Sequence, residues 1–170
     1  MIPIQEKKLN DDIKIIVDEV LKTSNCNITS IILYGSYGRG EGAFYEDKQG
    51  DIRTYNDYDL ILVVDKNKII KQEIINQISD KLEEKLDVKW IDISQKTKEE
   101  LKTLTLTIFN FDLKYGSTVI YGDKAVLEYV PDYDGTKLPL KEAETLFFTR
   151  IWAFMGGIPI DGFEKQLSKK

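Results

Sequence analysis

Ile31-Ile32-Leu33-Tyr34-Gly35-Ser36-Tyr37-Gly38-Arg39-Gly40-Glu41 and Asn56-Asp57-Tyr58-Asp59-Leu60-Ile61-Leu62-Val63-Val64 are the two stretches whose reading decides the fold. In the first, an apolar run breaks into a Gly-Ser turn. In the second, an Asp-x-Asp pair heads a run of leucine and β-branched residues. Successive side chains of a strand point to opposite faces, so Asp57 and Asp59 share one face and Tyr58 takes the other. Carboxylates that close repel each other unless a positive charge lies between them, and a divalent cation is the usual remedy. The apolar residues from Leu60 to Val64 predict a strand buried on both faces, so the carboxylates belong at its exposed end. Gly35 allows backbone N–H groups to come close to a phosphate, and the Ser36 hydroxyl adds a short donor. A helix opening at Tyr37 would bring partial positive charge to the same place.

Gly35-Ser36, Arg39-Gly40-Glu41 and Asp57-Tyr58-Asp59-Leu60 resemble the signature of the nucleotidyltransferase superfamily, which includes DNA polymerase beta, the minimal nucleotidyltransferases and the enzymes that adenylylate aminoglycosides and lincosamides. The resemblance runs from about Ile31 to Ser94. It implies a Gly-Ser turn that holds a nucleoside triphosphate, an Asp-x-Asp pair that binds two magnesium ions, with manganese as a substitute, and a third carboxylate on a neighbouring strand. Two residues compete for that third position, Asp87 and Asp92, which point to opposite faces of one regular strand. Asp87 stands where a helix gives way to a turn, a place where Asp is common for local reasons. Asp92 sits within Trp90-Ile91-Asp92-Ile93, where a carboxylate needs a reason, and this favours Asp92. Twenty residues lie between Ser36 and Asp57, a wider gap than is usual in the family, so residues 41–55 read as an insertion beside the site.

Composition frames this reading. A chain of 170 residues makes one domain, or one domain plus a small helical appendage, with room for a proper core. No apolar run approaches the roughly 18 residues of a membrane span, and the N-terminus lacks the pattern of a signal peptide. The single Cys26 has no internal disulfide partner, and a cytoplasmic location is expected. A net charge of −5 disfavours a long nucleic acid as partner. With no histidine in the chain, proton transfer and coordination fall to carboxylates.

Along the chain, Ile13, Ile16, Val17, Val20 and Leu21 form a helical stripe over 10–22 with Asn10 as N-cap. Strands are expected at 28–34, 56–64 and 88–94, with an amphipathic helix on Ile70, Ile74, Ile78, Leu82 and Leu86 between the last two. One helix is expected over 96–115, an edge strand over 118–121, a short helix over 125–130, and a helix over 140–155 that Gly156, Gly157 and Pro159 end. The aromatics Phe109, Phe111, Phe147, Phe148, Trp152 and Phe154 are expected in the core. The fold class is thus α/β (α+β): a small mixed β-sheet with helices packed on one face, nucleotidyltransferase-like, followed by C-terminal helices. Residues 1–95 form the core and residues 96–170 a mainly helical extension packed on it as one compact unit.

The function that this combination implies is metal-dependent transfer of a nucleoside monophosphate, AMP in the first instance, from a triphosphate to a hydroxyl of a small molecule or protein, with release of pyrophosphate. Asp57, Asp59 and Asp92 are the catalytic and metal-binding set, and Gly35, Ser36 and Arg39 the nucleotide-binding set. Arg39 and Glu41 also have a plainer reading as a surface pair. Two other readings are a non-catalytic or antitoxin-like nucleotide-binding protein of the same fold, whose partner docks on the C-terminal helices, and a glycosyltransferase that uses the Asp-x-Asp pair to hold a sugar nucleotide.

Overall fold

The computed structural model describes residues 3–25 and 28–156; Cys26, Gly157 and Pro159 lie outside them. The chain begins with α1 (Pro3–Ser24), which starts a full two turns before Asn10. Asn10 is therefore an interior residue rather than a cap, and Pro3 opens the helix, where its missing N–H costs nothing. Strand β1 (Ile28–Tyr34) follows, then a single helical turn α2 (Gly35–Gly38). The insertion folds as a small hairpin of β2 (Phe44–Glu46) and β3 (Ile52–Thr54). Strand β4 (Tyr58–Val64), helix α3 (Gln72–Leu86) and strand β5 (Ile91–Thr97) come next, and β5 begins later than the apolar run at Val88 suggests.

That shift has a local cause. Asp87 closes α3 in the left-handed conformation with φ 54°, so the chain must turn before it can extend. The single helix expected over 96–115 is two, α4 (Lys98–Lys102) and α5 (Ile108–Tyr115). Thr97 and Glu100 form a reciprocal capping box at the start of α4. Thr107 caps α5, and the threonine-rich link between them resists helix. Strand β6 (Thr118–Gly122), a 3-10 segment (Lys124–Tyr129) and helix α6 (Leu140–Gly156) complete the described chain.

The main sheet has the order β5-β4-β1-β6. β4 and β5 run parallel, and β1 is antiparallel to both its neighbours, so the sheet is mixed as expected. Helices α1 and α3 pack on the face formed by Ile31, Leu33, Tyr58, Leu60, Leu62 and Val64. They are tied together by buried Glu19, which Lys85 meets at 2.5 Å and Lys81 at 3.3 Å. These cations and the Thr23 hydroxyl hold the Glu19 carboxyl down at about 2. On the opposite face, Ile32, Ile61 and Val63 pack with Leu101, Leu113, Val119, Val126 and Val130 from the C-terminal half.

Helix α6 contributes little to either core. Phe147, Phe148, Trp152 and Phe154 stand exposed, as does Phe109 on α5, which corrects the expectation that these aromatics are core. No helix among the described residues is long and apolar enough to cross a membrane.

Candidate functional site

The head of β4 is fixed first by what lies behind it. Tyr58 is fully buried and its hydroxyl donates to Asp12 Oδ2 at 2.7 Å, across from α1. Lys8 Nζ meets both oxygens of the same carboxylate, at 2.6 and 2.7 Å. Burial and the Asp12 charge push the Tyr58 phenol up, so it stays a donor. The ring of Tyr37 lies 4.7 Å from that of Tyr58, and its hydroxyl donates to the Ala43 carbonyl. Period 2 then sends Asp59 to the other face.

On that other face Asp59 sits in one row with two residues of adjacent strands. It pairs in register with Tyr34 on β1 and with Asp92 on β5. Strand partners project to the same side, so the two carboxylates and the phenol are neighbours. Asp57 precedes the first residue of β4, and its charge acts on Asp59 together with that of Asp92. Burial is the largest cause, and the two like charges add to it: the Asp59 carboxyl is pushed up to about 7. The positive charges of Arg39 and Arg150 oppose the shift only in part. The Tyr34 phenol, raised by burial and these same carboxylates, remains protonated.

Gly35 is required here for two reasons. Its φ is +67°, and a Cβ built on it would lie 2.1 Å from Asp59 Oδ2. The backbone after β1 thus comes into contact with the carboxylate row, and Ser36 follows at once. Ser36 Oγ has no hydrogen-bond partner among the described residues. A helix opening at Tyr37 would have added partial positive charge, but α2 is a single turn, so no helix macrodipole bears on the site. Arg39 is engaged by Glu41 at 2.8 Å and by Asp112 of α5 at 2.5 Å. Its charge reaches Asp59, while its Nε and Nη1 are taken by Glu41 and Asp112.

The competition between the acidic candidates for the neighbouring strand resolves by position. Asp92 faces Asp59, whereas Asp87 ends α3 and meets Arg53 Nη1 at 2.6 Å. Lys114 is bound to the Leu127 and Val130 carbonyls and does not turn to the site. Three participants left no readable mark in the sequence. Tyr34 was legible only as a strand residue, Asp112 only as a helix residue, and Trp90 only as part of an apolar run. The Trp90 indole N–H donates to Asp57 Oδ2 at 2.7 Å. On this flank a cavity of about 710 Å³ opens between the hairpin and the turn before β5, lined by Tyr45, Tyr55, Asn56, Asp57, Lys89 and Trp90.

Donor chemistry suits a hard divalent cation: only carboxylate oxygens, one of them half-buried without a hydrogen bond and burdened by like charge. As placed, no three His, Cys, Asp or Glu side chains among the described residues converge closely enough to hold a metal ion. Asp57, Asp59 and Asp92 offer the donor chemistry that such a cation takes, but they do not converge on one point as placed.

No protein-family model and no curated protein matches this chain. Among solved structures it is similar to a toxin-antitoxin with AMP-PNP, at 14% identity over 84% of this chain and 92% of that one, with TM-score 0.43. It is similar to a mutant of the toxin-antitoxin MntA-HpeT, at 12% identity over 84% and 91%, with TM-score 0.41. A third is the tri-AMPylated Shewanella oneidensis HEPN toxin in complex with MNT antitoxin, at 17% identity over 91% and 94%, with TM-score 0.40. Likenesses of this degree bear on neither the activity nor the partners of this chain.

Proposed function

We propose that this protein is a metal-dependent nucleotidyltransferase that moves a nucleoside monophosphate, AMP in the first instance, from a triphosphate to an acceptor hydroxyl. The observation that carries the reading is the row Tyr34, Asp59 and Asp92 across three strands, with Gly35 packed against Asp59. A divalent cation held by Asp59, Asp92 and Asp57, magnesium or manganese, would offset triphosphate charge and lower the pKa of the acceptor hydroxyl. The Gly35-Ser36 turn would donate its N–H groups and the Ser36 hydroxyl to the terminal phosphates. The acceptor oxygen bonds to the α-phosphorus while the bond to pyrophosphate breaks, and the acceptor proton passes to the Asp92 carboxylate. Arg39 and Arg150 supply positive charge from the side of α5 and α6. The acceptor would enter through the cavity beside Asp57, whose aromatic walls suit a ring-bearing small molecule or side chain.

The test is a thermal-shift screen of the four nucleoside triphosphates with and without magnesium, followed by an assay of pyrophosphate release. A magnesium-dependent rise in Tm with a triphosphate is expected. Full retention of pyrophosphate release in Asp59→Asn would sink the reading.

A second reading, that the chain works as the partner of another protein, draws on α6. Phe147, Phe148, Trp152, Phe154 and Met155 are all exposed on one helix, the kind of apolar surface that commonly marks an interaction site. The two roles are compatible, and an Asp59→Asn protein that still binds a polypeptide through α6 would separate them.

A further inference from the structure

The cavity of about 710 Å³ beside Asp57 is walled on two sides by aromatic rings that no core claims. Tyr45 of β2 and Tyr55 just past β3 stand on the hairpin side, their ring centroids 6.4 Å apart and their planes nearly perpendicular. Trp90 stands on the other side, one residue before β5. The three are 49%, 76% and 60% exposed, and large aromatic surface gathered in a concavity commonly marks a ligand site. The walls are preformed. Arg53 of β3 meets Asp47 within the hairpin at 2.9 Å and Asp87, at the end of α3, at 2.6 Å. These ion pairs tie the hairpin to the segment that carries Trp90, so a ligand need not order the walls on entry.

Charge in this hollow is mainly negative. The Trp90 indole N–H donates to Asp57 Oδ2 at 2.7 Å and leaves Oδ1 without a hydrogen-bond partner among the described residues. The Arg53 guanidinium is outnumbered by Asp47, Asp51 and Asp87. Lys89, itself exposed, is the one cationic side chain in the lining. An aromatic face attracts a cation, an indole most strongly, and a carboxylate accepts a charge-assisted hydrogen bond from an ammonium N–H. An anion is repelled by the same groups, and a neutral ring gains only the aromatic contact. We propose that the cavity is selective for a ring-bearing organic cation: a planar ring between Tyr55 and Trp90 that carries a protonated amine turned to Asp57 Oδ1. The inference deepens the reading given under Proposed function, which sends the acceptor through this cavity, and rests on it only for that role.

The experiment uses the full chain carrying Trp152→Phe, which leaves Trp90 as its one tryptophan; Trp152 is 78% exposed, so the replacement disturbs no core. Three probes share one phenol ring and differ in charge: tyramine (a cation), 4-ethylphenol (neutral) and 3-(4-hydroxyphenyl)propionate (an anion). Each is titrated at pH 7 without metal, and the Trp90 indole N–H resonance is followed in a proton-nitrogen spectrum. Tyramine is expected to move it saturably with a Kd roughly tenfold below that of 4-ethylphenol, the scale of one charge-assisted bond, and the anion to bind more weakly than either. Asp57→Asn is expected to erase the tenfold preference while 4-ethylphenol binds as before. Tyr55→Ala, at an exposed position, is expected to weaken both phenols severalfold at unchanged Tm. Equal affinity for the three probes, or no saturable response to tyramine, overturns the proposal. If a triphosphate still raises Tm with magnesium in that protein, the nucleotidyltransferase reading stands and the selectivity of the cavity alone falls. A saturable tyramine response in a protein that binds no triphosphate supports the site and overturns only its role as the entry of an acceptor.

Discussion

The two faces of β4 are built to opposite ends. Tyr58, Leu60, Leu62 and Val64 lie under α1 and α3, dry and fully enclosed, and even the one polar group there is bonded to buried Asp12. Ile61 and Val63 on the reverse face are equally enclosed, but Asp59 at their head is half-open and carries like charge on either side. One strand thus supplies both a satisfied anchor and an unsatisfied edge. A carboxylate row can persist unpaired because its backbone is held from behind, which is how strain is commonly kept at functional sites.

This contrast can be broken most forcefully at Asp59. Asp59→Asn removes the like-charge repulsion, so the protein is expected to melt higher at pH 8 while pyrophosphate release falls by several orders of magnitude. Calorimetry and an initial-rate assay on the same preparation check both halves. Gly35→Ala comes next, since its new Cβ would collide with Asp59 Oδ2 and its φ is positive. A loss of about 1–3 kcal/mol is expected together with nearly all activity, read by urea unfolding and by the same assay.

On the anchoring face, Tyr58→Phe keeps the ring but strips Asp12 of a donor. A cost of about 1–3 kcal/mol follows, or ~2–4 °C of Tm for each kcal/mol, with a smaller effect on rate than either change at the row. If Tyr58→Phe abolished turnover at unchanged Tm, the two faces would not be separable as described.

The pH dependence sharpens the same point. Asp59 binds its proton with a pKa of about 7 when folded against the usual 3.8, so the folded chain holds the proton more tightly than the unfolded one. The stability it contributes is complete below about pH 4 and is lost as pH rises to 7. The Tm of the metal-free protein should therefore fall by a few degrees between pH 5 and pH 8, and magnesium should restore it. A Tm that rises over this interval would show that Asp59 is not the frustrated group. The smallest effect is expected at Glu41: Glu41→Gln loosens an exposed pair with Arg39 and should change stability by less than about 1 kcal/mol.

The core and the candidate site were unequally legible in the amino-acid sequence. Strand β1 and the apolar stretch of β4 are patterned strongly enough that their limits could be read almost to the residue, because burial on both faces favours unbroken apolar runs such as Ile31–Leu33 and Leu60–Val64. The Asp57, Asp59 and Asp92 set could also be proposed, since carboxylates among apolar residues are conspicuous. Boundaries failed where local capping outweighed periodicity: Pro3 rather than Asn10 opens α1, and Thr97 and Thr107 split the helix expected over 96–115. The α6 aromatics were misread because apolar spacing says that a face seeks cover, not what covers it. The helical stretch around Ser36 is one turn, since Gly38 and Gly40 give the chain no propensity to continue.

By itself, the order of residues determined which strands exist, that a Gly-Ser turn follows the first, and that acidic side chains head the second and third. Those features are local, set by alternation and by the cost of burying charge. Only the tertiary structure decided that Asp92 rather than Asp87 faces Asp59, that Arg39 is claimed by Asp112, and that Trp90 holds Asp57. Each of these depends on register between strands or on the approach of a distant element, and no spacing along the chain encodes where a neighbouring strand begins.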